Sequence, residues 1–265
     1  MTTLAVPQGD LHLAVIAAAY PLALAAAARS TWSPCGLSML SSITPLGEAG
    51  RGRRFRPTAT WFVAGATLGG ATVGAIAAGL SAAVGALGPS AILLAALAAL
   101  LLVLGAAGDL GLLGYRIPLL RRQVNERWLD HYRAWVYGGG FGWQIGTGVT
   151  TYVMTTAVFV TLAVAVLSAS PAIAMSIGMV FGLSRGLAVL LGARITTPEA
   201  LMRVHRGFDH FRRPVWLGVV ITQAALGLAL ATVVWPPALA LGGVGVVAVV
   251  WVLTRSPLRR LATPG

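Results

Sequence analysis

The chain has 265 residues, of which 57% are hydrophobic and only 10% are charged. A soluble core cannot bury so much apolar surface, so most of the chain must face lipid. All 19 basic residues are arginines, and the net charge is +12. Because the arginines cluster between apolar blocks, we interpret them as topology signals and predict no binding to nucleic acid.

Seven apolar blocks are long enough to cross a bilayer, taking about 20 residues per crossing. They are 11–45, 60–87, 91–113, 141–167, 172–191, 215–234 and 238–253. The first block is too long for one straight helix and contains Pro21 and Pro34, so we expect a broken helix or an interfacial lead-in there. The sequence therefore predicts an all-α polytopic membrane protein with seven transmembrane helices in a single transmembrane domain, 1–265.

Loops at alternate ends of these blocks hold 17 of the 19 arginines, in the segments 51–56, 116–133, 194–213 and 255–260. The intervening turns carry no charge. Arginine-rich loops remain on the cytoplasmic side. We therefore predict a multi-pass protein of a bacterial plasma membrane, with its N-terminus outside and its C-terminus in the cytoplasm.

The order of features suggests two inverted three-helix repeats, at about 11–114 and 139–235, followed by an extra helix at about 237–254. The first span of each repeat carries a polar, helix-breaking cluster, at 30–36 and 146–152. Broken helices in inverted repeats usually meet near the middle of the bilayer. We therefore expect the two clusters to converge.

The second span of each predicted repeat carries glycines at four-residue spacing. They are Gly65, Gly69, Gly70 and Gly74 in one repeat and Gly178, Gly182 and Gly186 in the other. Small residues at this spacing let helix backbones approach closely in lipid. We therefore predict that these glycines lie at helix contacts.

The segment 26–37, which contains Ser33-Pro34-Cys35, resembles the first span of the cytochrome c biogenesis transmembrane family, the CcdA and DsbD type of thiol-disulfide conduit. The segments 140–152 and 179–183 look like the fourth and fifth spans of that family. The resemblance covers 15–234.

In that family, two Pro-Cys pairs cycle between dithiol and disulfide to move reducing equivalents across the membrane. Pro34 and Cys35 match the first pair and would be the catalytic residues, whereas Thr151 and Tyr152 stand where the second pair would be. Exchange needs a second thiol to resolve the mixed disulfide. The resemblance therefore implies a one-cysteine variant that relays reducing equivalents with a thioredoxin-like partner.

A different hypothesis is a transporter of a small solute or metal ion on the same scaffold. Thr150, Thr151 and Tyr152 would then supply uncharged ligands, with Arg185 as a further substrate-binding residue in the fifth span. A structural subunit of a larger membrane complex is a third alternative. Cys35 could also be no more than a small buried hydrophobic residue.

Three charged residues, Arg29, Asp109 and Arg185, fall within predicted spans. An intramembrane charge is a functional hypothesis by default. Asp109 lies at a depth similar to that of Arg185, so we predict that the two face each other, although Arg185 could instead extend to the headgroups. Arg29 could favour a thiolate at Cys35 if it reaches the sulfur, or it could be an interfacial anchor.

The sequence predicts neither a cofactor nor a metal site. His205, Asp209 and His210 are potential ligands, but the many arginines around them would repel a cation, so we interpret this loop as an interfacial helix. There is no phosphate-binding glycine loop and no nucleophile elbow. Whether the chain is an enzyme stays open, and its predicted partners are the lipid bilayer and the thioredoxin-like protein.

Overall fold

The computed structural model describes residues 8–113 and 132–235, which form a helical bundle without any strand in those two ranges. The helices are α1 (Gln8–Thr31), α2 (Pro34–Ser42), α3 (Pro45–Gly50), α4 (Phe55–Ala86), α5 (Ala91–Asp109), α6 (Ala134–Thr147), α7 (Ala157–Leu167), α8 (Pro171–Leu187) and α9 (Pro198–Val234). A short 3₁₀ helix, Ala188–Gly192, continues α8.

Within the described ranges, five helical segments are long and apolar enough to cross a membrane: Gly9–Thr31, Phe55–Ala86, Ala91–Asp109, Pro171–Gly192 and Pro198–Val234. The prediction of an all-helical membrane protein is confirmed for the described residues. The seven-span count and the inverted repeats stay predictions, because the seventh predicted span, 238–253, lies outside those residues.

The first predicted span is broken at only one of its two prolines. α1 continues through Pro21. The break comes before Pro34, which occupies the first turn of α2, while Ser33 has extended backbone angles (φ −74°, ψ 158°). Proline disfavours helical geometry in the residue before it and is preorganised to begin a helix. Pro34 therefore ends one helix and starts the next.

The fourth and sixth predicted spans also differ from the structure. The fourth, 141–167, is divided into α6 and α7 by the non-helical segment 148–156. The sixth was expected to begin at residue 215, but α9 begins at Pro198 and continues through Pro214. The polar loop interpreted as an interfacial helix is therefore the first half of α9.

α4 forms the centre of the packing, because its small residues admit two neighbouring helices at backbone distance. A Cβ atom on Gly65 would collide with the carbonyl of Gly139 in α6, and one on Gly70 would collide with the carbonyl of Gly178 in α8. Close approach of this kind is how helices associate in lipid. The predicted packing role of the glycines is confirmed at these positions.

The order of these contacts gives the helix directions. Contacts between α4 and α6 advance together along both helices, through the pairs Thr58–Gly138, Phe62–Gly142 and Ala66–Gly146. Contacts between α4 and α8 run in opposite senses, through Val63–Gly186, Gly70–Gly182 and Gly74–Met175. α4 is therefore parallel to α6 and antiparallel to α8, so α6 begins at the same end of the bundle as the arginine-rich segment 51–56.

Gly70→Ala tests this packing. Its added methyl group would meet backbone atoms of α8, which cannot move aside as a flexible side chain can. We expect the substitution to destabilise the protein by about 1 to 3 kcal/mol. The unfolding temperature in mild detergent measures the loss of stability, with size-exclusion chromatography used to monitor the folded protein that remains after heating.

Gly79→Ala is the matched control on the same helix, since a Cβ atom there has no neighbour within 4 Å. It should leave the unfolding temperature unchanged or raise it slightly, because alanine favours helix over glycine. Equal melting temperatures for the two variants would contradict the close contact between α4 and α8.

Candidate functional site

Two helices end inside the bundle, and their ends lie near each other. α1 ends at Thr31 and α6 ends at Thr147. Both ends expose carbonyl groups that have no partner within their own helix. Lipid offers no hydrogen bond to them, so the protein itself must supply the donors.

Arg185 of α8 supplies donors to both helix ends. Its Nη1 donates to the carbonyl of Ile145 at 2.6 Å, and its Nη2 donates to the carbonyl of Ser30 at 3.3 Å. The side chain is only 2% exposed, so it points into the bundle and does not extend to the headgroups. A guanidinium is favourable here because helix C-termini carry partial negative charge.

Cys35 and Phe181 are neighbours of this guanidinium. The Cζ atom of Arg185 lies 5.8 Å from the centre of the Phe181 ring, and Cys35 is near enough to interact with Arg185 electrostatically. Cys35 is 2% exposed and packs among apolar side chains in the first turn of α2. Arg185 is therefore a cation beside the sulfur, in a place where Arg29 had been considered.

The break between α6 and α7 is organised by threonines. The hydroxyls of Thr147 and Thr150 lie 2.5 Å apart and are 2.7 and 3.0 Å from the carbonyl oxygen of Gln144, so the three groups form one hydrogen-bonded cluster. Gly148 follows the helix with a positive φ of 73°, which glycine adopts without strain. Thr150, predicted to bind substrate, thus helps to satisfy the end of α6.

Thr151 and Tyr152, the other two residues of this break that were predicted to bind substrate, follow Thr150 in the same non-helical segment. Thr151 is buried, and its hydroxyl has no hydrogen-bond partner within 8–113 and 132–235. Tyr152 is half-buried and packs against the apolar cluster that contains Cys35. The two polar clusters singled out in the sequence therefore meet, with Arg185 joining their helix ends.

Asp109 does not face Arg185, so that prediction is wrong. Its carboxylate accepts hydrogen bonds from the Thr155 hydroxyl at 2.6 Å, the Thr156 backbone N–H at 2.8 Å and the Gln223 amide at 2.9 Å. Thr156 immediately precedes α7. The carboxylate therefore lies at the N-terminal end of α7, where the helix dipole favours negative charge.

Glu48 was missed by the sequence analysis, although its side chain is fully buried. It accepts hydrogen bonds from the hydroxyls of Thr58, at 2.6 Å, and Tyr137, and Arg51 lies 3.5 Å away. These contacts tie α3 to α4 and α6. The sequence offered one signal for Glu48, its position as an acidic residue three positions after Pro45. An acid at that position usually interacts only with the N-terminus of its own helix.

Arg29 is buried like Arg185 and Glu48, but its guanidinium has fewer hydrogen-bond partners in the described part of the chain than their charged groups have. Its side chain is 6% exposed, and neither Nε nor Nη1 has a hydrogen-bond partner among the described residues. Asp109 attracts it and Arg212 repels it. All three hydrogen bonds to Asp109 come from other residues, so Asp109 attracts Arg29 without accepting a hydrogen bond from it.

A metal site receives no support from the part of the chain that the structure describes, where no three His, Cys, Asp or Glu side chains form a group that could hold an ion. His205, one of the residues considered, has other partners. Its Nε2 lies 3.2 Å from the Ser41 hydroxyl and its Nδ1 lies 3.0 Å from the carbonyl of Leu201. The ring thus joins α9 to α2.

No protein-family model and no solved structure matches the chain significantly. Curated relatives do match. The chain is 31% identical over 215 residues to the methylamine utilization protein MauF of Paracoccus versutus, covering 78% of this chain and 76% of the relative. It is 33% identical over 201 residues to MauF of Paracoccus denitrificans, covering 72% and 71%.

These relatives overturn the resemblance to the cytochrome c biogenesis family. That assignment was wrong, and so were the thiol-disulfide relay and the transporter that were inferred from it. The thioredoxin-like partner has no support either. The Pro34-Cys35 pair that suggested the relay has a local explanation, since Pro34 begins α2 and Cys35 fills a buried apolar position.

Arg185→Met tests the role of the buried guanidinium. Methionine keeps much of the side-chain volume but removes the charged donor from the carbonyls of Ser30 and Ile145, whose donors in the described part of the chain are then only the backbone N–H groups of Ser33 and Gly148. Each lost hydrogen bond from a charged donor costs about 1.5 to 3 kcal/mol. We expect a large fall in the unfolding temperature in mild detergent and a lower yield of folded protein.

Arg29→Met is the matched control. It removes an equally buried guanidinium for which the described residues provide no partner at Nε and Nη1. The unfolding temperature should stay the same or rise, because the variant no longer buries an incompletely satisfied charge. A larger loss for Arg29→Met than for Arg185→Met would refute the contrast between the two arginines.

Proposed function

This chain belongs to the family of the methylamine utilization protein MauF, and from that premise we propose that it serves bacterial methylamine utilization as a multi-span membrane protein. The similarity extends over most of both chains, which supports a shared role and not only a shared segment. The apolar helices support a place in the bilayer.

Within that process we propose a structural role in the membrane, in which the chain performs no chemistry itself. The supporting observation is that two charged groups at the helix breaks, Arg185 and Asp109, are engaged by the chain's own residues. Arg185 bonds to two carbonyls, and Asp109 accepts three hydrogen bonds. Groups engaged in this way stabilise the helix ends and are poorly placed to bind and release a ligand.

This proposal gives the predicted site residues structural tasks. Pro34 begins α2, Cys35 packs in the buried apolar cluster, Thr150 caps α6, and Tyr152 packs on the cluster around Cys35. Thr151 is assigned to packing in the same break, where its side chain is buried.

Growth on methylamine tests the functional proposal. In the bacterium that encodes the chain, deletion of the gene should abolish growth with methylamine as the sole nitrogen source and leave growth on ammonium unchanged. Complementation with the wild-type gene should restore growth, and so should Cys35→Ala, because a structural role needs no thiol.

Two results would contradict this assignment. Wild-type growth of the deletion strain on methylamine would reject the link to methylamine utilization. Failure of Cys35→Ala to complement, at a protein level equal to wild type in the membrane fraction, would reject the purely structural role of Cys35.

We further propose the orientation that the arginines favour, with the segments 51–56 and 194–213 in the cytoplasm and the N-terminus outside. The two inverted triplets of helices remain part of this proposal. α4 connects the two sides, because it begins just after Arg54 and ends at Ala86.

The single native cysteine makes this orientation easy to test. In a Cys35→Ala background, Leu87→Cys and Gly50→Cys each introduce one thiol near opposite ends of α4. Leu87 is 83% exposed, and a side chain at Gly50 would meet nothing within 4 Å. A membrane-impermeant maleimide should label Leu87→Cys in intact spheroplasts and Gly50→Cys only after lysis, and the reverse pattern would invert the orientation.

A further inference from the structure

A groove lies between the 3₁₀ helix and the first turns of α9, and we call it the arginine groove. Its volume is about 240 Å³, which corresponds to about eight water molecules. Its lining residues are Leu191, Arg194, Ile195, Ala200, Arg203 and Val204. The lining therefore combines two guanidinium-bearing side chains with four apolar ones.

The lining of this groove carries positive charge from its two arginines. The nearby acidic residue Glu199 is not part of the lining. Glu199 lies on the same helix and interacts electrostatically with Arg203, but its carboxylate is fully exposed. A solvent-exposed pair of this kind contributes little and is screened by salt. Arg194 and Arg203 are both exposed, so an incoming anion can reach them.

The apolar surface beside the groove continues into a membrane span. Leu187, Leu190 and Leu191 are 45%, 51% and 55% exposed, and they belong to the last turns of the apolar segment Pro171–Gly192. A ligand in the groove would thus have its charged part against the arginines and its apolar part beside these leucines. This chemistry is that of an anionic amphiphile.

We propose that the arginine groove binds the phosphate of an anionic phospholipid headgroup. Guanidinium groups form charge-assisted, bidentate hydrogen bonds with phosphate, and basic pockets at the ends of membrane helices recognise acidic headgroups. The site is independent of the proposed role in methylamine utilization. Its lipid occupant would fix the junction between α8 and α9 at headgroup depth.

The test measures lipid binding to the purified full-length protein in mild detergent, by native mass spectrometry and by the rise in unfolding temperature. Phosphatidylglycerol should bind and stabilise the wild type, whereas phosphatidylcholine should not. In Arg194→Gln/Arg203→Gln, phosphatidylglycerol should bind about 25-fold more weakly, from about fivefold per arginine. Arg194→Lys/Arg203→Lys should bind more tightly than the glutamine variant and more weakly than the wild type, because it retains both charges but loses the bidentate guanidinium geometry.

Arg54→Gln/Arg56→Gln is the matched control, since it removes two exposed arginines from the N-terminus of α4. It should bind phosphatidylglycerol like the wild type. Equal loss in both glutamine variants, or no loss in Arg194→Gln/Arg203→Gln, would overturn the site. Stabilisation by inorganic phosphate equal to that by phosphatidylglycerol would overturn the lipid as the occupant.

Discussion

The fold depends on a buried guanidinium that joins two helices ending inside the bundle. A transmembrane helix normally satisfies its own backbone, and a break exposes carbonyls to a solvent that cannot hydrogen-bond them. Arg185 donates to one carbonyl from each broken helix, Ser30 in α1 and Ile145 in α6. The planar, forked guanidinium can reach two acceptors at once, whereas a lysine ammonium is a single point charge. Residue type as well as charge is therefore constrained at this position.

The break between α6 and α7 uses opposite charges at its two ends. The last turn of α6 presents carbonyls, and Arg185 binds one of them. The first turn of α7 presents N–H groups, and the Asp109 carboxylate accepts from the backbone of Thr156, the residue just before that helix. Each charge thus has the sign that the neighbouring helix dipole favours. This arrangement explains why the two charges serve one break without contacting each other.

Hydropathy and proline placement predicted most of the helices, because lipid requires long apolar segments and Pro34 disfavours a continuous helix. The partners of Asp109 and Arg185 could not be predicted in the same way. Sequence position gives the depth of a charge in the membrane but not the direction in which it points around the helix axis, so two charges at equal depth looked like a pair. The length of α9 was missed because its first half is polar and belongs to no apolar block. The Pro34-Cys35 pair misled for a related reason, since Pro34 begins α2 and Cys35 fills a buried apolar position in the same turn.

Arg29 and Arg185 show that burial alone does not identify the arginine on which a fold depends. They are 6% and 2% exposed, yet Arg185 has two backbone acceptors, whereas two of the three guanidinium nitrogens of Arg29 have no partner in the described part. Burying a charge costs several kcal/mol unless hydrogen bonds offset it. Arg185 therefore contributes to stability through its acceptors, and Arg29 is held in place by the packing of α1 against its neighbours. The arginines of the groove beside α9 differ from both, because exposure leaves their hydrogen-bonding groups free to meet an anion from the membrane surface.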